Sequence, residues 1–268
     1  MNEPTVSVVV PTFRRETTVG AAVRSALEQA GVTVEVIVLD DSPEGSARAA
    51  IDALGDARIR YVHRVVPSGG VPALVRNEGL ELASGDYVHF LDDDDILESG
   101  ALAALAGALE RNENAGVAIG VVVPFGADAR VLAEQRAYFA AAAERLRRIR
   151  GRARLTAAML FGTTPLINSA CLVRRRCARE VGGYATDVPR CEDVDFYLRA
   201  IRRCGYVFVD QPVLRYRTGA PSLMHSLADD SPLVAQSYRA IYARYRREHG
   251  ALELAMMRLL ALWQRVLV

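Results

Sequence analysis

Residues 87–95 read Tyr87-Val88-His89-Phe90-Leu91-Asp92-Asp93-Asp94-Asp95, five residues of strand character running straight into four carboxylates. Carboxylates packed this closely repel one another and resist ionising together unless a cation offsets them. Hard divalent ions take oxygen ligands and commonly share one or two carboxylates with substrate phosphates. The run therefore points to a metal site that holds a phosphorylated substrate. The structural alternative is a solvated acidic turn with Ile96 opening the next helix, where acids also suit the helix N-terminus.

Working outward from this run, the first half alternates strands and helices. Residues 6–10 form a β-branched run ended by Pro11-Thr12, and residues 34–39 form a second, ended by Asp40-Asp41-Ser42-Pro43. Both read as buried strands. Helices are expected from Thr17 or Thr18 to Gln29, near 46–54, at 72–83 and at 101–110, with a further strand at 59–63 and a Gly-rich turn at Ser68-Gly69-Gly70. Strands separated by helices predict an α/β fold with a mostly parallel sheet. Right-handed crossovers then gather the C-terminal strand ends along one edge, where ligands bind. Three polar clusters share that edge: Pro11-Thr12-Phe13-Arg14, Asp40-Asp41-Ser42 and the 92–95 run, about 30 and 50 residues apart in sequence. A chance acidic turn would not keep that company.

The second half is less regular. Strands are expected at 117–124, 168–173, 206–209 and 213–217, an Ala/Arg-rich helix at 132–149, and a mobile basic link at 151–154. The sequence Glu192-Asp193-Val194-Asp195 opens a helix to about Cys204 with acids in its first turn.

Composition sets limits. The 268 residues carry a net charge of +1, with 24% charged and 51% hydrophobic residues, an ordinary globular balance that calls for no nucleic acid partner. All 33 basic residues are arginine, which excludes a Walker A loop and a pyridoxal Schiff base. Cys171, Cys177, Cys191 and Cys204 lack CxxC spacing and read as reduced, buried thiols rather than zinc ligands or a disulfide framework. With no secretory pattern at the N-terminus and no apolar run of about 18 residues, the expectation is a cytoplasmic protein, peripheral at most on the inner face of the membrane.

Six segments occur in the order found in one family: VSVVVPTFRR (6–15), VEVIVLDDS (34–42), VRNEGLELASGDYVHFLDDDD (75–95), VGGY (181–184), CEDVDFYLRA (191–200) and VLRYR (213–217). Together they resemble the inverting glycosyltransferases of family 2, which have a GT-A fold. The resemblance implies that a GT-A domain spans 1–220, with a nucleotide-binding half to about 110 and an acceptor-binding half at 111–220, followed by a helical extension at 221–268. It implies that Pro11, Thr12 and Phe13 line the base pocket, Phe13 as a stacking ring, with Arg14 beside them. Asp41 would accept a hydrogen bond from the base, uracil by preference. Asp92-x-Asp94 matches the metal pattern for Mn²⁺ or Mg²⁺, with Asp94 as the direct ligand, Asp93 at the ribose and Asp95 as a cap on the following helix. Asp193 is implied as the general base and His225 as a third metal ligand. Arg76, Arg215 and Arg217 face either the diphosphate or solvent.

The implied reaction moves a sugar from a nucleotide-diphosphate donor, UDP-linked by preference, to a saccharide or lipid-linked hydroxyl in cell-surface glycan assembly. A haloacid-dehalogenase-like phosphatase also uses a strand followed by Asp-x-Asp. That motif normally follows the first strand, however, and its usual lysine is missing here. An inactive sugar-nucleotide-binding protein is the non-enzyme alternative, and the presence of both Asp94 and Asp193 argues against it. Finally, residues 251–268 form an amphipathic helix with a broad apolar arc. It would dock on the domain, pair with a second copy, or lie on a membrane.

Overall fold

The computed structural model describes residues 3–162, 166–219 and 232–266, with the side chains of residues 265 and 266 excepted. Among the described residues, eight strands form one sheet: β1 (Thr5–Thr12), β2 (Thr33–Asp40), β3 (Ile59–His63), β4 (Tyr87–Phe90), β5 (Ile96–Leu97), β6 (Val117–Phe125), β7 (Cys171–Arg174) and β8 (Tyr206–Arg217). Ten helices among the described residues surround it: α1 (Val19–Leu27), α2 (Arg48–Asp52), α3 (Pro72–Leu82), α4 (Ala101–Glu110), α5 (Ala129–Arg148), α6 (Arg152–Phe161), α7 (Arg175–Glu180), α8 (Glu192–Cys204), α9 (Pro232–His249) and α10 (Ala251–Val266). The strand order is β3-β2-β1-β4-β7-β6-β8-β5. Only β7 and β5 run against the rest, so the sheet is mostly parallel, as expected. β2 and β3 lie on one side of β1 and β4 on the other. That reversal opens a crevice at the strand ends, where ligands bind in such sheets.

Strand alternation divides the core into two layers. Val6, Val8 and Val10 face α1 and α4, with Val36, Val38 and Leu105 in the same layer. Val9, Ile37, Leu39 and Phe90 face the other way, into a layer with α3, α6 and α8. Ile241 of α9 and Met257 and Ala261 of α10 belong to this second layer, so both extension helices pack on the main core.

Several expectations are corrected. The basic stretch at 151–154 is the start of α6, not a link; Gly151, at φ +84°, turns the chain between α5 and α6. The two closing strands merge into β8, whose register against β6 shifts between Ile119 and Val122. Asn168–Ala170 is a 3-10 turn, and only then does β7 begin. Cys177 and Cys204 form a disulfide, while Cys171 and Cys191 are free and buried. The disulfide pair sits against Gly116, in α7 and at the end of α8.

Helix α3 carries the Arg76 that matters below, and its closeness to the sheet depends on Gly79. A Cβ at Gly79 would strike Val9 and press on Leu39, both buried β-strand side chains with no room to yield. We expect Gly79→Ala to lose about 1–3 kcal/mol of stability in urea unfolding, the usual cost of overpacking. An unchanged midpoint would show that α3 can lift away freely.

Candidate active site

The chain leaves β4 at Phe90 and the four aspartates take different environments. Asp92 donates its N–H to Ser169 Oγ (3.0 Å), and its Oδ1 accepts from Arg76 Nη2 (3.0 Å) and Asn168 Nδ2 (3.4 Å). Burial pushes the Asp93 carboxyl up to about 7; the Asp94 and Asp92 charges add to this, and Thr12 and Arg15 oppose it. Asp94 Oδ2 accepts from Arg15 Nη1 at 2.8 Å. Burial, reinforced by Asp92, still holds the Asp94 carboxyl above its ordinary range. Asp95 is buried, accepts from the Arg217 N–H at 3.1 Å, and has its Oδ2 unpartnered. It caps no helix: the chain continues into β5, and α4 starts only at Ala101, after Gly100. The solvated-turn alternative therefore fails, because these acids are substantially desolvated.

Arg76 connects this run to α8. Its guanidinium is buried, with Nη1 2.5 Å from Glu192 Oε1 and Nη2 3.0 Å from Asp92 Oδ1. It also lies over the Tyr184 ring at 5.5 Å. Tyr184 stacks on Phe196 of α8 at 4.2 Å, and its hydroxyl donates to Asn168 Oδ1 at 2.8 Å. Arg76 faces carboxylates rather than solvent, and Asn77 of the same helix holds the 183–184 turn by accepting from Tyr184 N–H and donating to Tyr184 O.

Asp193 sits half-buried next to this bridge. The Val194 N–H is its one hydrogen-bond donor among the described residues, at 2.8 Å. Burial first, then the Glu192 charge, pushes its carboxyl up to about 6, against the pull of Arg76. Asp195 behaves differently: fully buried, it accepts from Arg199 Nε (2.8 Å) and Arg244 Nη1 (2.6 Å), fastening α9 to α8. Burial also pushes the Cys191 thiol up to about 12, so it is inert. Among the described residues, the non-glycine positions with left-handed φ are Arg14 (53°) and Cys191 (56°), both at this rim. Such strain persists where the surrounding structure fixes a functional turn.

At the β1 and β2 ends, Thr12 is buried and Phe13 is 50% exposed, its ring open for stacking. Arg14 is tied to Glu44 at 2.7 Å and lies over the Phe13 ring at 5.3 Å. Asp40 and Asp41 divide the work. Burial would raise the Asp40 carboxyl, but donors from Ser42, Tyr61 and Ala47 hold it below its usual range. Asp41 takes Arg64, the Ser68 N–H (2.8 Å) and the Ser68 hydroxyl (2.6 Å). Pro11 is the penultimate residue of β1, paired in register with Leu39.

The residues fit a divalent cation of the substrate-sharing kind. Among the described residues, no three His, Cys, Asp or Glu side chains converge as a cage. Magnesium usually needs only one or two protein carboxylates beside substrate phosphates. Asp94 and Asp92 would be the two carboxylates to hold such an ion, in an acidic cluster whose mutual repulsion a cation would relieve. His225 lies outside the described residues.

A family model described as Glycosyl transferase family 2 matches residues 7–182. The chain belongs to glycosyl transferase family 2. It shares 39% identity over 108 residues with a Campylobacter jejuni GalNAc(5)-diNAcBac-PP-undecaprenol beta-1,3-glucosyltransferase, covering 38% of this chain and 33% of that protein. It shares 33% over 96 residues with an Escherichia coli UDP-Glc:alpha-D-GlcNAc-diphosphoundecaprenol beta-1,3-glucosyltransferase, covering 36% and 37%. The chain thus spans about a third of each of these proteins. The fold matches Staphylococcus aureus TarS 1–349, crystallised with UDP-GlcNAc, at TM-score 0.69 and 17% identity, over 96% of this chain and 70% of that one. The fold is GT-A.

At this rim, several residues have no role that the sequence alone assigns. Arg15, to which its motif assigns no role, pairs with Asp94. Asn168 and Ser169, strand residues by sequence pattern, stand in a 3-10 turn and hold Asp92 from the second half of the chain. Arg217, for which two readings stood open, donates to the Asp94 carbonyl at 3.0 Å and lies over the Phe125 ring at 4.6 Å. Arg215 also lies over that ring, at 4.8 Å. The motif order signalled the right segments but not which side chains point inward.

The Arg76 bridge yields a stability test. Removing the cation of a buried pair typically costs about 3–5 kcal/mol, because the carboxylates are left uncompensated. We expect Arg76→Met to lose that much in urea unfolding. Arg76→Lys should lose less, since it keeps the charge, but a point charge cannot span both acids as the guanidinium fork does. A Met variant as stable as wild type would refute the bridge.

Proposed function

We propose that this glycosyltransferase transfers a sugar from a UDP-sugar to a hydroxyl of a lipid-linked saccharide, with inversion at the anomeric carbon. The observation that carries this reading is the position of Asp193. It heads α8 next to the Arg76 bridge, with its carboxyl poised near 6, and the aspartate run is the other arm of the same bridge. The related Campylobacter and Escherichia proteins are named for beta-1,3-glucosyl transfer to diphosphoundecaprenol-linked sugars, which supports the acceptor class. The TarS complex with UDP-GlcNAc supports the donor class.

On this reading, Phe13 stacks on the base, and Asp41 accepts from it through its remaining lone-pair capacity. Asp93 faces the ribose. Asp94, with Asp92, would hold a Mn²⁺ or Mg²⁺ ion, which when bound supplies positive charge for the leaving diphosphate. Asp193 takes the acceptor's hydroxyl proton as that oxygen attacks the anomeric carbon. The bond from that carbon to the diphosphate oxygen breaks, and the nucleotide departs with the electron pair. The acceptor enters on the Asp193 side, opposite the diphosphate, so the configuration inverts. Glu192, held by Arg76, positions Asp193.

Two results test this. With a panel of nucleotide sugars read by released nucleotide, Asp193→Asn should still bind UDP while transfer falls by about 10²–10⁴-fold, the usual contribution of a general base. In wild type, kcat/KM should rise with pH through about 6, because the base works only when deprotonated. Undiminished transfer by the Asn variant, or a flat profile from pH 5 to 8, would remove Asp193 from this role. Separately, titration calorimetry should show that Mn²⁺ tightens UDP binding to wild type but not to Asp94→Ala. Equal UDP affinity of wild type with and without the ion would remove the metal.

A further inference from the structure

Helix α10 packs with much of its apolar arc turned outward. Met257 and Ala261 are buried in the core. Glu253 is drawn inward by Arg202 and by the Tyr245 hydroxyl (3.0 Å), and Gln264 donates to the Arg154 carbonyl at 3.2 Å. Two polar side chains therefore face the protein. The opposite side presents Leu252, Met256, Leu259, Leu262 and Trp263, exposed by 77, 54, 67, 49 and 49%. Their spacing places them on one stripe, and Arg258 is the one charged side chain among the exposed positions from 251 to 264. Five large apolar side chains in a row mark an interaction surface rather than ordinary scatter.

The surroundings indicate what covers it. Arg154 of α6 lies over the Trp263 ring at 5.3 Å. It ends a run of six arginines in ten residues, from Arg145 to Arg154. Arg147 and Arg148 pair with Glu144 and Asp210. Arg150 and Arg152 donate to main-chain carbonyls and form no ion pair among the described residues. Arg147, Arg150 and Arg152 line a cavity of about 700 Å³ with Tyr206 and Phe208. A second copy of the chain seated on the stripe about a two-fold axis would bring like-charged arginine runs together. An anionic bilayer offers acyl chains to the stripe, phosphates to the arginines, and an interface where Trp is favoured. No helix among the described residues is long and apolar enough to cross a membrane, so α10 would lie in the plane.

We propose that the outer face of α10 and the 145–154 arginine run together form a docking surface for an anionic lipid bilayer. The cavity sits at the N-terminal ends of β6 and β8, away from the aspartate rim at the opposite strand ends. Docking therefore leaves the active site open. This inference rests on the helix face and the arginines, not on the donor or the metal.

Trp263 is the single tryptophan of the chain, so the unmodified protein reports on its own insertion. Vesicles of mixed phosphatidylglycerol and phosphatidylcholine should shift Trp263 emission to the blue and co-sediment the protein; pure phosphatidylcholine vesicles should do neither. Added salt should weaken binding, because the headgroup contribution is screened. Leu252→Ser with Leu259→Ser, and separately Arg150→Glu with Arg152→Glu, should each lower partitioning by about tenfold or more, with circular dichroism unchanged. Unshifted emission with anionic vesicles would overturn the proposal. So would equal partitioning of wild type and both variants, or a dimer in light scattering that Leu259→Ser dissociates while vesicles leave Trp263 unaffected.

Discussion

The structure turns on one buried cation. Arg76 holds Asp92 with one nitrogen and Glu192 with the other. Asp92 stands at the end of β4 in the first half of the chain, and Glu192 opens α8 in the second. A buried carboxylate without a partner is costly. Between them the guanidinium compensates both, and its planar fork fixes the distance at which the two halves meet. Gly79 lets α3 lie close enough to the sheet for Arg76 to reach, and Tyr184, stacked on Phe196, closes the far side.

Around that bridge the site concentrates negative charge that the fold alone does not need. Asp93, Asp94 and Asp95 are all held above their usual range by burial, with neighbouring acids adding to it. Arg15 and Arg217 temper the repulsion without abolishing it. A carboxyl raised in the folded state favours folding most at low pH, and that advantage disappears as pH rises through the raised value. At neutral pH such groups therefore weaken the fold, which is the usual relation between a functional cluster and stability. Asp40 shows the contrast: four donors satisfy it and hold it ionised, and its role is confined to shaping the turn.

Much of this was legible in the sequence because β-strands and their ends announce themselves. The runs at 6–10, 34–39 and 87–91 gave the parallel core, and the polar residues just beyond them share the rim. The second half was harder for physical reasons. Gly151 between basic residues looks like a link, but it only turns the chain before α6. Pro212 interrupts a strand pattern, yet β8 passes through it by shifting register. Asp95 has the composition of a cap, and only the tertiary fold reveals the Arg217 N–H it accepts. Cys177 and Cys204 have no telling spacing, because their pairing depends on how α7 and α8 meet. For residues 251–266 a helical wheel gives the polar arc but not which side docks; Glu253 and Gln264 turned inward, contrary to the simplest use of that arc.

If Arg76 sets the general base against the diphosphate clamp, the stereochemical outcome follows from the geometry, whichever sugar and acceptor are used. The direct measurement is proton NMR of the anomer first formed when the wild-type enzyme transfers the sugar of an α-linked UDP donor to water or to a hydroxyl acceptor. The β-anomer should appear first, before any mutarotation. An α-anomer appearing first would mean that Asp193 does not face the side opposite the diphosphate, and the account would be wrong at its centre.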